Sequence, residues 1–316
     1  MMLAWILFVF LAGTIPAMDV LIPQTHAGGN AFRRAVILCL PPIIVALAFG
    51  VYLHFAFVQT AMPPRDAGQG ALTFSTGYLL ELGLSADNVM MFILLLRALR
   101  IPAADQSLVM FWAIIMAISA RVVLILTGLA LMARFHILFY FMGGFLLVAG
   151  VLMFFQRRGE RSLGDRLIDL SSRMLPIHPE PAGRRMIVII NGRRCITPLL
   201  LAIILVGLVD VLFAFDSIPA VFGITSDPLI VTSSNVFAVF ALHRLYFIMA
   251  PLMDRLRFLE AGLALILLFI GGKMLLPLLR QYGWKLHITT TASLLVIATI
   301  LALAAGASIA LPQKKK

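Results

Sequence analysis

Charge is scarce in this chain. Asp, Glu, Lys and Arg make up 12% of its 316 residues, against about 25% in a soluble globular domain, while 62% of the residues are hydrophobic. So few charges cannot coat a water-soluble fold, and the sequence reads as an integral membrane protein. The strict apolar/polar alternation over roughly ten residues that a transmembrane barrel needs is missing. Apolar runs of about 20 residues recur instead, so the spans are helices. The two cysteines, Cys39 in an apolar run and Cys195 beside a basic stretch, are too few and too badly placed for a disulfide framework. The six histidines are scattered, without the His/Cys spacing of a zinc site. No phosphate-binding P-loop occurs, so active transport would draw on an ion gradient or the membrane potential.

What the chain does have is apolar length. Nine runs read as spans: 2–22, 35–58, 72–96, 107–132, 135–155, 197–222, 235–253, 258–279 and 288–311. The first lacks a basic leader and a small-residue cleavage site, which predicts a retained span and not a signal peptide. Pro41 and Pro42 are expected in the first turns of the second span, where missing N–H groups are tolerable. Gly143, Gly144 and Gly150 offer close helix contacts in the fifth. Residues 156–196 form a polar, arginine-rich loop outside the membrane. The net charge of +11 does not point to nucleic acid, because most bases fall in loops between spans. Of the 25 Lys and Arg, 18 fall on one side of the nine spans and 4 on the other, with Arg121, Arg244 and Lys273 inside spans. That bias predicts an N-terminus outside, and a C-terminus and a 156–196 loop in the cytoplasm, of a cell (inner) membrane.

Two stretches share an acidic pattern. Glu81 and Asp87 lie six residues apart in one apolar run, as do Asp210 and Asp216 in another. With the orientation above, the two runs cross the membrane in opposite directions. Leu146 to Met153 also parallels Leu267 to Met274 around Gly150 and Gly271. The expected fold is therefore all-α, a polytopic membrane protein of about nine transmembrane helices with two inverted three-helix repeats, an architecture common among secondary transporters. The divisions are 1–71 (two helices), 72–155 (first repeat), 156–196 (basic loop), 197–280 (second repeat) and 281–316 (last helix and basic tail).

Gly77-Tyr-Leu-Leu-Glu81, Leu84-Ser-Ala-Asp87-Asn88 and Asp210-Val-Leu-Phe-Ala-Phe-Asp216-Ser-Ile-Pro-Ala220 resemble the two signature segments of the TerC/Alx family. Phe111-Trp112, Phe135-His136, Thr197-Pro198 and Thr232-Ser-Ser-Asn-Val-Phe237 fit the same pattern. Leu82 and Gly83 stand where the family commonly carries lysine and serine. The resemblance covers about residues 74–280 and implies a polytopic membrane protein linked to tellurium resistance and to manganese export.

A carboxylate near the bilayer centre costs roughly 2.5–3.5 kcal/mol, and three in-span bases cannot neutralise four acids. A bound cation would supply the missing charge. The candidate metal ligands are thus Glu81, Asp87, Asp210 and Asp216, with Asn88 and Ser217 as either neutral oxygen ligands or helix-packing groups. Met90 and Met91 read first as packing. Oxygen ligands favour Mn²⁺, Mg²⁺ or Ca²⁺; the ion is cargo, and no resident cofactor is expected. Six residues on an unbroken helix leave two side chains about 120° and about 9 Å apart, so the motif helices are expected to bend or break, at Pro219 and Gly83. Crossing helices would then stack Glu81 with Asp216 and Asp87 with Asp210, and protonation would release the ion. The competing readings are an exporter of another small cation or an amino acid, a membrane scaffold of a stress-response complex, and an intramembrane aspartyl protease, whose Tyr-Asp and Gly-x-Gly-Asp signatures are missing. The expected partners are the cation and the lipid bilayer; the oligomeric state stays open.

Overall fold

The computed structural model describes residues 2–21, 31–60, 68–135, 137–155, 169, 183–190, 193–249, 258–280 and 288–310. In chain order these form α1 (Met2–Leu21), α2 (Ala31–Thr60), α3 (Gly68–Ala98), α4 (Ala103–Arg134) and α5 (Ile137–Phe155), the strands β1 (Ile187–Ile190) and β2 (Arg193–Ile196), then α6 (Pro198–Phe222), α7 (Pro228–Met249), α8 (Leu259–Arg280) and α9 (Thr290–Ala310). A helix lies at each apolar run. Among the described residues, six segments are long and apolar enough to cross a membrane: Ile37–Ala56, Ala103–Arg134, Pro198–Phe222, Pro228–Tyr246, Ala261–Leu278 and Thr290–Ser308. Met2–Thr14 and Ile137–Met153 are apolar but shorter. The fold is all-α and polytopic, and its outer surface is that of a membrane protein. Phe10, Phe55, Phe141 and Leu303 are exposed while Glu81, Asn88, Asp210 and Arg121 are buried.

Local chemistry sets several boundaries. Asp227 accepts from the N–H groups of Leu229 and Ile230 at 2.9 and 3.1 Å, and Pro228 opens the helix, so α7 starts seven residues before its apolar run. The hydroxyls of Ser233 and Ser234 donate back to the carbonyls of Ile230 and Val231, which lets this polar stretch stay helical. At the end of α3, Ile101 N–H bonds Leu96 O and Arg100 N–H bonds Arg97 O. This Schellman closure puts Arg100 at φ 53°, with Leu96 and Ile101 both buried.

Three sequence expectations are corrected. Pro41 and Pro42 lie well inside α2 and not in its first turns, because the helix begins at Ala31. Gly83 makes no break in α3, which is continuous; a Cβ there would meet Leu301 of α9 at 3.0 Å, so the glycine admits a neighbouring helix. Pro219 lies near the end of α6, which also runs unbroken. In α5, Gly143 and Gly150 abut α8 as expected, since added Cβ atoms would meet Met274 Cβ at 2.8 Å and Leu268 Cγ at 2.9 Å, but Gly144 has nothing within 4 Å.

Helix pairing is most extensive between α5 and α8, α3 and α7, and α4 and α6, with smaller contacts of α3 on α6 and α4 on α7. Inside the stretch read as loop, β1 and β2 form an antiparallel hairpin. The β-branched Ile-Val-Ile-Ile run followed by Asn191-Gly192 is its sequence signal.

Candidate functional site

α4 buries a stripe at helical spacing that includes Ala113, Ala117, Arg121 and Ile125. The alanines let α6 come close, and Arg121 fills the space one turn further on. Its guanidinium is fully buried and spends its donors on three helices. Nε and Nη2 donate to the two carboxylate oxygens of Asp210 on α6 at 3.0 and 3.2 Å, the paired geometry that suits this fork. Nη1 donates to Asn235 Oδ1 on α7 at 2.8 Å and to Glu81 Oε1 on α3. Asn235 Nδ2 in turn donates to Glu81 Oε2 at 3.0 Å. Glu81 and Asn235 are fully buried and Asp210 nearly so. The void beside Asp210 measures about 10 Å³, room for about one water. Within the network both acids bond the same base.

Asp216 lies elsewhere. Six residues past Asp210 on an unbroken helix, it lines a cleft of about 210 Å³ among α3, α5, α6 and α8. Asn88 shares that cleft, whose other walls are apolar and include Leu84, Met153, Phe213 and Leu267. Ser217 is buried and its hydroxyl has no hydrogen-bond partner among the described residues, as holds also for Tyr78 and Thr232.

Glu81 and Asp210 meet across Arg121; Asn88 and Asp216 line one cleft; the side chain of Asp87 lies outside the described residues. Arg121 bridges Glu81 and Asp210, which the sequence reading set at different levels; the expected pairing of Asp87 with Asp210 lies outside the described residues. Among the described residues, no three His, Cys, Asp or Glu come together as a metal cluster. Met91 packs against the main core. Lys273 donates to Ser293 on α9 at 2.9 Å. Asn235 is the site residue that the reading of acids missed; its signal is the polar run Thr232 to Asn235 inside an apolar helix.

A buried ionic network and a carboxylate-lined cleft, carried on apolar helices, define a polytopic integral membrane protein whose polar groups face inward. The chain belongs to the integral membrane protein TerC family, whose model matches residues 66–316. Similar proteins include an uncharacterised membrane protein, STKORF319, of Myxococcus xanthus, 38% identical over 85% of this chain and 82% of that protein. Alx of Escherichia coli K12, which carries the provisional name of a membrane-bound redox modulator, is 37% identical over 87% of this chain and 86% of its own. The chloroplast thylakoid membrane protein TERC of Arabidopsis thaliana is 34% identical over 89% of this chain and 68% of its own. No solved structure matches the chain.

Proposed function

We propose that this protein is a secondary transporter that exports a divalent metal cation, with Mn²⁺ the favoured cargo and a proton as the counter-ion. The observation that carries this reading is the cleft among α3, α5, α6 and α8 that Asp216 and Asn88 line together, beside the pair of Glu81 and Asp210 on Arg121. A carboxylate inside the membrane is costly, and a hard cation with oxygen preference offsets that cost. Asp216, Asn88, Asp87 and Ser217 are the proposed ligands, with Glu81 and Asp210 lending negative charge through the Arg121 network. Tellurium resistance would follow from the same cation traffic.

The pairing of helices supports two inverted repeats, 72–155 and 197–280. The first helix of each unit packs on the second of the other, α3 on α7 and α6 on α4, while the third helices, α5 and α8, pack on each other. Reciprocal contacts of this kind are what a twofold axis in the membrane plane produces. With nine spans and the bias of basic loops, the inner membrane, an outside N-terminus and a cytoplasmic C-terminus complete the proposal. The full burial of Arg121 favours a structural part for Glu81 and Asp210, so the acids divide between holding the bundle and handling the ion.

The test is total cellular Mn, Mg, Ca, Fe and Zn by mass spectrometry with and without the protein. Expression is expected to lower manganese, and Asp216→Asn is expected to abolish that drop with the protein still in the membrane. Undiminished efflux in Asp216→Asn would remove the cleft from the mechanism.

A further inference from the structure

We infer that the β1–β2 hairpin is an anionic-lipid sensor, docked by its Ile face into the headgroup layer where α6 enters the bilayer. The hairpin is tied to that entry point. Ile196 ends β2 and Thr197 caps α6 in the next position, accepting from Leu200 N–H at 3.4 Å. The Thr197 hydroxyl donates to the carbonyls of Arg185 and Met186 at 2.8 and 3.1 Å, and its N–H bonds Met186 O at 3.1 Å. A four-residue strand reaches about 13 Å, so the whole hairpin stays at the membrane surface.

Its outward face suits that layer. Ile187 and Ile189, two residues apart and on one side of the strand, are 52% and 72% exposed. Ile196 and Arg194 stand across from them in register, and Arg184, Arg185 and Arg194 are exposed around the apolar patch. Met186 and Ile196 anchor the base of the hairpin to the main core, and Ile187 and Ile189 stand exposed beyond that anchor. Burial of the isoleucines at the acyl boundary, with arginines on lipid phosphates, satisfies both parts of the face. Asp105 is the acid that the structure sets against this basic rim, through Arg184 at 3.4 Å. That contact also joins the hairpin to the start of α4. A docked hairpin would therefore act on both helices of the Arg121–Asp210 bridge at their common end, which ties lipid charge to transport.

The experiment uses the full chain with Cys39→Ala, Cys195→Ser and Ile189→Cys, spin-labelled at residue 189 and reconstituted into vesicles of phosphatidylcholine alone or mixed equally with phosphatidylglycerol. In the mixed vesicles the label is expected to collide with oxygen and to be shielded from an aqueous nickel chelate. Arg194→Gln is expected to lower the docked fraction about fivefold, the worth of one surface arginine at an anionic bilayer. Nickel access in both vesicles would overturn the proposal. Shielding from both reagents would also overturn it, by showing protein over the face. Equal docking in the two vesicles would overturn the role of the arginines. Docking read this way is independent of metal efflux, so failure of the transport reading leaves this result intact.

Discussion

Replacing Arg121 by methionine, close in volume and without charge, tests whether the network holds the bundle. It leaves Glu81 and Asp210 without the base they share, and the void beside Asp210 has room for about one water. Four hydrogen bonds go at once, two to Asp210, one to Asn235 and one to Glu81. Breaking a buried pair by removal of one partner costs about 3–5 kcal/mol, since the stranded charge finds no water. The same principle predicts recovery when the charges go together. Arg121→Met with Glu81→Gln and Asp210→Asn is expected to regain most of the loss, because the amide at position 81 can still bond Asn235 and no ion is left unpaired. The assay is reversible unfolding of detergent-solubilised protein by sodium dodecyl sulfate, followed by circular dichroism. If Arg121→Met alone stays within about 0.5 kcal/mol of the parent, the network is not a structural tie. A triple variant no better than the single one would show that shape, and not charge, is what Arg121 supplies.

Adjacent glycines give a matched pair. Gly143→Ala puts a Cβ 2.8 Å from Met274 Cβ and 3.3 Å from the Gly271 carbonyl, and is expected to cost about 1–3 kcal/mol in the same unfolding assay. Gly144→Ala meets nothing within 4 Å and should be neutral or stabilising by up to about 1 kcal/mol; equal effects would discount the α5–α8 contact. Arg100→Gly relieves a left-handed backbone and should raise stability by about 1 kcal/mol, with a drop placing the arginine's value in its side chain. Reporter fusions near Asp227 should read outside and fusions within 156–196 inside, and a cytoplasmic signal near Asp227 would break the inverted-repeat reading.

Much of the architecture was legible because lipid imposes it. Runs such as 107–132 and 197–222 have no other stable conformation in a bilayer than helix, and Gly143 and Gly150 announced a tight seam that α8 fills. The hairpin was legible too, through four β-branched residues and Asn191-Gly192, but the count of arginines in the same stretch pointed only to a loop. The site was harder. Arg121 lies 40 residues from Glu81 and 89 from Asp210, so its sharing between them is set by how α4 lodges among α3, α6 and α7. Local sequence carries no trace of that choice. Gly83 shows the same limit from the other side, since a glycine that admits Leu301 of α9 and a glycine that breaks a helix read alike.

The six-residue spacing of the acids, read first as a reason for the helices to break, becomes the key to the site once they are continuous. A rotation of about 120° on a rigid helix sends Asp210 toward α4 and α7 and Asp216 toward α5 and α8, so one element feeds a sealed network and an accessible cleft. The two are joined by the backbone of α6 and share its tilt. Any change that opens the cleft by moving α6 against α5 and α8 must also shear Asp210 on Arg121, whose two-pronged contact at 3.0 and 3.2 Å tolerates little sliding. Under the proposed function the bridge would set the stiffness of that motion and Asp216 the choice of ion. On this argument Arg121→Lys, which keeps the charge and loses the fork, should leave manganese affinity near that of the parent while it alters the rate of efflux. Equal loss in Arg121→Lys and Asp216→Asn of manganese binding itself would mean that the two compartments act as one site.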